Sequence, residues 1–276
     1  MKKGSILSRK KIGFVGAGNM ATSIIQGLIA SKKVKRGQIY ISDKDRRKRT
    51  AKKRLLKVKV AKNNIDLINS SDIVILCVKP QDIEGTLKEI QTTYNKDKII
   101  ISIVAGVKLS FLSKYVSKDA KIIRVMPNIG SLAQESITAI NYSKNLDSKT
   151  KKIVKSIFNA VGETEEINEK QMDIVTALSG SGPAYIAYIL NCLIKTSIKE
   201  GLSKSKAQHL SFQMAKGTID LLKEKKIEIE NLIKMVTSKG GTTDAALDIF
   251  NKKRLNKIIA EAIKVAAKRS KELSRS

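Results

Sequence analysis

The 276 residues predict an α/β fold that gives way to an all-helical region. Three observations predict it. Short apolar runs rich in β-branched residues alternate with amphipathic stretches over the first two-thirds, which calls for a mostly parallel sheet covered on both faces by helices. From about residue 169 onward, apolar residues recur only at helical spacing and no strand pattern returns. The length exceeds what one core usually serves, and 42% apolar residues supply enough for two. The expected division is 1–166 and 167–276.

In chain order, strand patterns fall at KIGFVG (11–16), QIYIS (38–42), VKVA (58–61), DIVILCV (72–78), IIISIV (99–104), KIIRVM (121–126) and SITAINY (136–142). Helical stretches lie between most of them, such as NMATSIIQGLIASKK (19–33) and PQDIEGTLKEIQTTY (80–94). The helical region reads EKQMDIVTAL (169–178), PAYIAYILNCLIKTSIKEG (183–201), SKAQHLSFQMAKGTIDLLKEKK (205–226) and IENLIKMVTS (229–238), then one long stretch over 243–274. Residues 12–30 and 174–194 carry no charge and mimic a signal peptide and a membrane span. Gly-Ser-Gly-Pro within the second is expected to break the backbone ladder that lipid demands, so a soluble, cytoplasmic chain with no membrane partner is expected.

GFVGAGNMA (13–21) holds Gly16-x-Gly18-x-x-Ala21 between a strand and a helix, the context in which this motif binds a dinucleotide. Gly16 permits the tight turn, Gly18 lets a pyrophosphate approach the backbone, and Ala21 lets helix pack on strand. The helix start formed by Asn19, Met20 and Ala21, with Ala17 in the turn, then faces the phosphates. The next strand ends in Ser42 and Asp43, followed by Lys44, Arg46 and Arg47. A serine followed by cations suits a ribose 2′-phosphate and so NADP, while Asp43 keeps NAD open. Two later strands end in Lys79-Pro80 and Ala105-Gly106, where ligands of open α/β sheets sit.

The formal charge is +29, from 54 basic and 25 acidic residues. The lysines are spread along the whole chain, and aromatic residues make up only 4% with no Trp, which disfavours base stacking. Solvated lysines, with no specific nucleic acid partner, are the expectation, and a field that attracts phosphates and carboxylates. Two cysteines and one histidine, scattered, make no metal site. Tyr94-x-x-x-Lys98 spells a dehydrogenase dyad but falls between a helix and a strand and is set aside.

IGFVGAGNMA, VILCVKPQ, ISIVAGV, RVMPN, ALSGSGPAY and VTSKGGTTDAAL, in that order, resemble the pyrroline-5-carboxylate reductase family over residues 11–272. The last two motifs are the specific ones. The resemblance implies a Rossmann-type dinucleotide-binding domain followed by an all-α dimerisation domain, a homodimer or a larger ring of dimers, and an active site where one subunit's cofactor cleft meets its partner's helices. By position it implies cofactor contacts at Gly16 to Ala21, Ser42, Asn64, Cys77, Val78, Lys79, Pro80, Ala105 and Gly106. It implies substrate contacts at Glu169, Thr242 and Thr243 with the loop around Gly240 and Gly241. The chain departs from the family pattern at Lys239, where proline is usual, at Ile129-Gly130, where Thr-Pro is usual, and at Cys77.

The implied substrate, 1-pyrroline-5-carboxylate, is a cyclic imine bearing a carboxylate, and the product is proline. TSKGGTTDAAL (237–247) suits it: Ser238, Gly240 and Gly241 form a loop whose N–H groups face the carboxylate, and the helix start behind it favours an anion. The Thr243 hydroxyl is the candidate catalytic group, hydrogen-bonding the ring nitrogen; helix capping by Thr242 or Thr243 is the plain alternative. SGSGPAY (179–185) reads as a second tight loop whose small residues, Ser179 and Gly180, would let substrate and nicotinamide approach, or pack at the dimer interface. Another NADP-linked imine or ketone reductase, or a non-catalytic nucleotide-binding regulator, stays open on the residues alone.

Overall fold

The computed structural model describes residues 5–116, 120–144 and 146–273. Among the described residues, eight strands form one sheet: β1 (Ile12–Val15), β2 (Ile39–Ser42), β3 (Lys59–Val60), β4 (Ile73–Leu76), β5 (Ile99–Ser102), β6 (Lys121–Met126), β7 (Ser136–Tyr142) and β8 (Gly162–Glu166). Their order is β3-β2-β1-β4-β5-β6-β7-β8. All neighbours run parallel except β6 and β7, which pair antiparallel with Arg124 opposite Asn141. The helices of this part are α1 (Asn19–Ala30), α2 (Arg46–Leu56), α3 (Asn64–Asn69), α4 (Ile83–Ile90), α5 (Leu109–Leu112), α6 (Ser148–Phe158) and α7 (Met172–Val175).

Period-2 alternation sorts each central strand onto two cores. Ile73 and Ile75 of β4 join Ile12, Phe14, Ile39 and Ile41 on the face covered by α1 and α6, through Ile24, Ile25, Leu28, Ile153, Ile157 and Phe158. Val74 and Leu76 join Val15 and Ile100 on the face covered by α3 and α4, through Leu67, Ile68, Leu87 and Ile90. Each fully buried Ile, Leu or Phe contributes about 1.5–3 kcal/mol. The sheet reverses its order between β1 and β4, which opens a crevice beyond their carboxyl ends.

The second group comprises α8 (Gly182–Lys199), α9 (Lys204–Lys225), α10 (Ile229–Met235), α11 (Thr242–Lys252) and α12 (Leu255–Leu273). Contacts divide the chain into two compact units: residues up to Ser181 together with those from Ala266 on, and residues Gly182–Val265.

Four expectations change. The sheet has an eighth strand, β8, whose sequence GETEE shows no apolar alternation because it is an edge strand with mostly exposed side chains. It is held by its register with β7. The long stretch 243–274 is two helices, parted where Arg254 takes a left-handed φ of 54°. Residues 176–180 are a π turn, not a tight loop, and Ser181 N–H donates to Thr176 O at 3.0 Å. The ladder is therefore widened rather than broken there, and among the described residues one helical stretch, Glu169–Lys199, is long and apolar enough to cross a membrane.

Candidate active site

The cradle for a dinucleotide is built at the ends of β1, β2 and β4. Gly16 has φ 96°, and a Cβ there would lie 2.7 Å from Cys77 O. Only glycine turns the chain that tightly so close to β4. Gly18 is the N-cap of α1, with no side-chain cap. A Cβ on Gly18 would meet nothing within 4 Å, so its outer face is open. The first intrahelical bond runs from Thr22 N–H to Gly18 O, so the amides of Asn19, Met20 and Ala21 point out of the helix start. An uncapped helix N-terminus behind a glycine with free space above it fits a pyrophosphate.

A cleft of about 250 Å³ opens from this turn, and Gly16, Gly18, Asn64, Cys77, Val78 and Lys79 line it. Ser42 is buried beside the cleft and donates to Asn64 Oδ1 at 2.6 Å, so these two expected cofactor residues act as a pair. Asn64 Nδ2 in turn donates to Glu89 Oε2 at 2.7 Å. Asp43 is spent on the backbone: Oδ2 accepts from Ala17 N–H at 2.9 Å and Oδ1 from Asp45 N–H at 3.0 Å. The cations on the cleft wall are Lys44, Lys48 and Lys79. Lys44 pairs with Asp82 at 2.7 Å, and that hydrogen bond raises its pKa above the ordinary lysine value. Arg46 lines a neighbouring depression instead, and Arg47 lines neither. Gly106, with φ 75°, lines a separate cavity together with Pro80; Ala105 precedes it and is half-buried. Burial pushes the Cys77 thiol far above its usual pKa, so it stays protonated and inert.

Glu169 stands after β8 and receives Arg124 Nη1 at 2.6 Å, while its buried Oε2 has no partner among the described residues. Arg124 is only 3% exposed. An arginine within the apolar strand KIIRVM signals such a buried partner. Tyr94 and Lys98 are structural: the Lys98 ammonium donates to Ile68 O and Ser71 O at 2.7 and 2.8 Å. Ser179 Oγ donates to Val175 O at 3.0 Å, and a Cβ on Gly180 would meet Met126 Cε at 2.9 Å.

In the second unit the loop is shorter than its motif, because Thr242 and Thr243 already belong to α11. Gly241 is the N-cap and no side chain caps the helix, so neither threonine takes the capping role. The glycine amides are engaged internally. Gly240, at φ 73°, donates to Asp244 Oδ2 at 2.9 Å, and Gly241 donates to Ser238 O at 2.9 Å. The first intrahelical bond is Ala245 N–H to Gly241 O, which leaves the amides of Thr242, Thr243 and Asp244 at the helix start to face an anion. The sequence signal for Asp244 is an acid three residues after the N-cap.

Comparison with known proteins agrees with both halves. Residues 11–106 match the family model described as NADP oxidoreductase coenzyme F420-dependent, and residues 169–273 match the model described as pyrroline-5-carboxylate reductase dimerisation. Pyrroline-5-carboxylate reductase 1 of Bacillus spizizenii is 35% identical over 270 residues, covering 98% of this chain and 91% of that one. Pyrroline-5-carboxylate reductase of Staphylococcus haemolyticus is 33% identical over 269 residues, covering 96% and 98%. The crystal structure of Plasmodium falciparum pyrroline carboxylate reductase with NADP bound superposes with a TM-score of 0.88 at 30% identity, covering 97% of this chain and 99% of that one. With a Rossmann-type nucleotide domain, a helical dimerisation domain and this likeness along nearly its whole length, the chain belongs to the pyrroline-5-carboxylate reductase family.

Proposed function

We propose that the protein reduces 1-pyrroline-5-carboxylate to L-proline, the last step of proline biosynthesis, as an NAD(P)H-dependent oxidoreductase. The observation that carries this is the pairing, in one chain, of an open glycine cradle at α1 with an uncapped helix start at α11 opened by Gly240 and Gly241. The likeness to named reductases supports the same reading.

The cofactor is NAD(P)H, which when bound supplies the hydride. The amides of Asn19, Met20 and Ala21 hold its pyrophosphate, with Gly16, Ala17 and Gly18 shaping the turn. Ser42 and Asn64 present a joined polar edge to the ribose, and Cys77, Val78, Lys79 and Pro80, with Ala105 and Gly106, belong to the same end of the sheet. NADP is favoured over NAD because Lys44 and Lys48 line the cleft, while Asp43, which lines it too, already accepts a backbone amide on each oxygen. This moves the 2′-phosphate contact from Arg46 and Arg47 to those lysines.

The substrate carboxylate binds at the start of α11, on the amides of Thr242 and Thr243. Ser238, Gly240 and Gly241 hold the loop, and Asp244 locks Gly240. The Thr243 hydroxyl bonds the ring nitrogen, and a protonated imine needs no stronger acid. Ser179 and Gly180 keep their neighbourhood small, and Glu169 contributes through its free carboxylate oxygen. The assembly is a homodimer through the helical unit, or a ring of such dimers, in the cytoplasm.

The test is oxidation of NADPH and of NADH by purified protein given pyrroline-5-carboxylate. Turnover to proline, faster with NADPH, is expected. Tight cofactor binding without turnover would refute the substrate assignment.

A further inference from the structure

Helix α2 carries seven cations and no acid in its eleven residues, and it presents them on two sides. Lys48 faces the dinucleotide cleft. Arg46, Arg49 and Lys53, spaced three and four residues apart, line a different depression of about 340 Å³ with Thr50 and Lys62. No acid lines it, and among the described residues none of these four cations is ion-paired with one. The carboxylates nearby in sequence are occupied by backbone amides: Asp45 by Arg47 and Lys48, and Asp66 by Lys62 at 2.8 Å. Arg49 Nη1 reaches Lys62 O at 3.4 Å, which draws the two ends of the depression together.

A lysine-rich composition does not explain this patch. Four of the ten arginines in the chain, Arg46, Arg47, Arg49 and Arg54, fall within α2, and two of them, Arg46 and Arg49, line the depression. Arginine adds forked donors that match phosphate oxygens, which a drift toward lysine would not supply. Like charges gathered on one helix face repel, so the unbound state is penalised and a multivalent anion relieves it.

We propose that the depression formed by Arg46, Arg49, Lys53 and Lys62 is a second anion site that binds a compact polyphosphate, separate from the cofactor's own phosphates. The concave shape suits a short chain of phosphates, and no aromatic side chain lines it to stack a base. The Thr50 hydroxyl donates to Arg46 O at 3.0 Å, so the cations alone supply the donors that face an anion.

The probe is inorganic tripolyphosphate, titrated calorimetrically into the full chain at physiological salt with saturating NADP+. One equivalent is expected to bind with NADP+ in place. Arg49→Ala/Lys53→Ala should weaken it at least tenfold while leaving NADP+ affinity unchanged. Lys149→Ala/Lys152→Ala, which removes the same charge from exposed positions on α6, should leave it intact. Displacement of tripolyphosphate by NADP+, or a parallel loss of NADP+ affinity in the α2 variant, would mean that the depression only serves the cofactor and would overturn the proposal. Equal weakening in both variants would reduce it to the general field, and no binding would end it. The NADP+ titration alone tests the cofactor reading, so the two can fail separately.

Discussion

Single residues separate binding from folding in this chain. Gly18→Ala places a methyl group in open space, so thermal stability should hold within about 0.5 kcal/mol, yet that space is where a pyrophosphate must approach. NADPH affinity is expected to fall at least tenfold in a fluorescence titration, and unchanged affinity would remove Gly18 from the cradle. Thr243→Ala should lower kcat/KM about tenfold with unchanged stability, since Thr243 lies in the first turn but caps nothing. A drop in melting temperature with normal kinetics would return it to a structural role. The Glu169–Arg124 pair behaves differently. Removing the carboxylate leaves a guanidinium that is 3% exposed without its partner, and Glu169→Ala should cost about 3 kcal/mol in denaturant unfolding. A stability loss below 1 kcal/mol would show that Arg124 finds another partner. The turn at Gly16 and Gly18 was legible in the sequence because it depends on backbone freedom and residue type at fixed spacing. The occupation of Asp43 by the glycine turn was not, because it joins residues 26 positions apart through a side chain whose direction the sequence does not encode.

Elements show the same divide between local and distant information. The central strands announced themselves because burial on both faces demands unbroken apolar runs, as in IVIL of β4. The edge strand β8 could not, since one side of it faces solvent and its acids are free to stay. What holds β8 is geometry at its first residue: Gly162 has φ 144°, and a Cβ there would fall 2.0 Å from Ser136 O. The break between α11 and α12 rests on one left-handed residue, Arg254, a type that gives no warning of that conformation. Helix α6, in contrast, begins where its capping residue says it should. Asp147 accepts from Thr150 N–H at 2.7 Å and from Thr150 Oγ1 at 2.8 Å. The backbone hydrogen bond, then the hydroxyl, holds its carboxyl below the usual pKa. Because the folded value lies below the unfolded one of about 3.9, the cap stabilises at neutral pH, and its contribution fades as pH falls from there through the lowered folded value. Asp147→Ala is expected to cost about 1 kcal/mol at pH 7, with the gap to the parent closing in acid. A gap independent of pH would mean that the charge of Asp147 plays no part.

At the scale of the whole molecule, two forces oppose each other when copies meet. Each chain carries a net +29, which repels a second copy over roughly 10 Å at moderate ionic strength. The helical unit nevertheless leaves large apolar side chains in water: on α8, Ile186 is 58% exposed, Tyr188 71%, Ile189 48% and Leu193 40%. An apolar surface of this kind marks an interface, and a second copy supplies matching side chains by symmetry. Added salt screens the repulsion but leaves burial of apolar area untouched, so the dimer should tighten between 50 and 300 mM salt in sedimentation equilibrium. Ile189→Glu puts a charge into that apolar surface and should shift the protein toward monomer at every salt concentration. A dimer that loosens with salt would mean that ion pairs, not the apolar side chains of α8, hold the copies together. It would also leave the exposure of Ile186 and Tyr188 without its explanation.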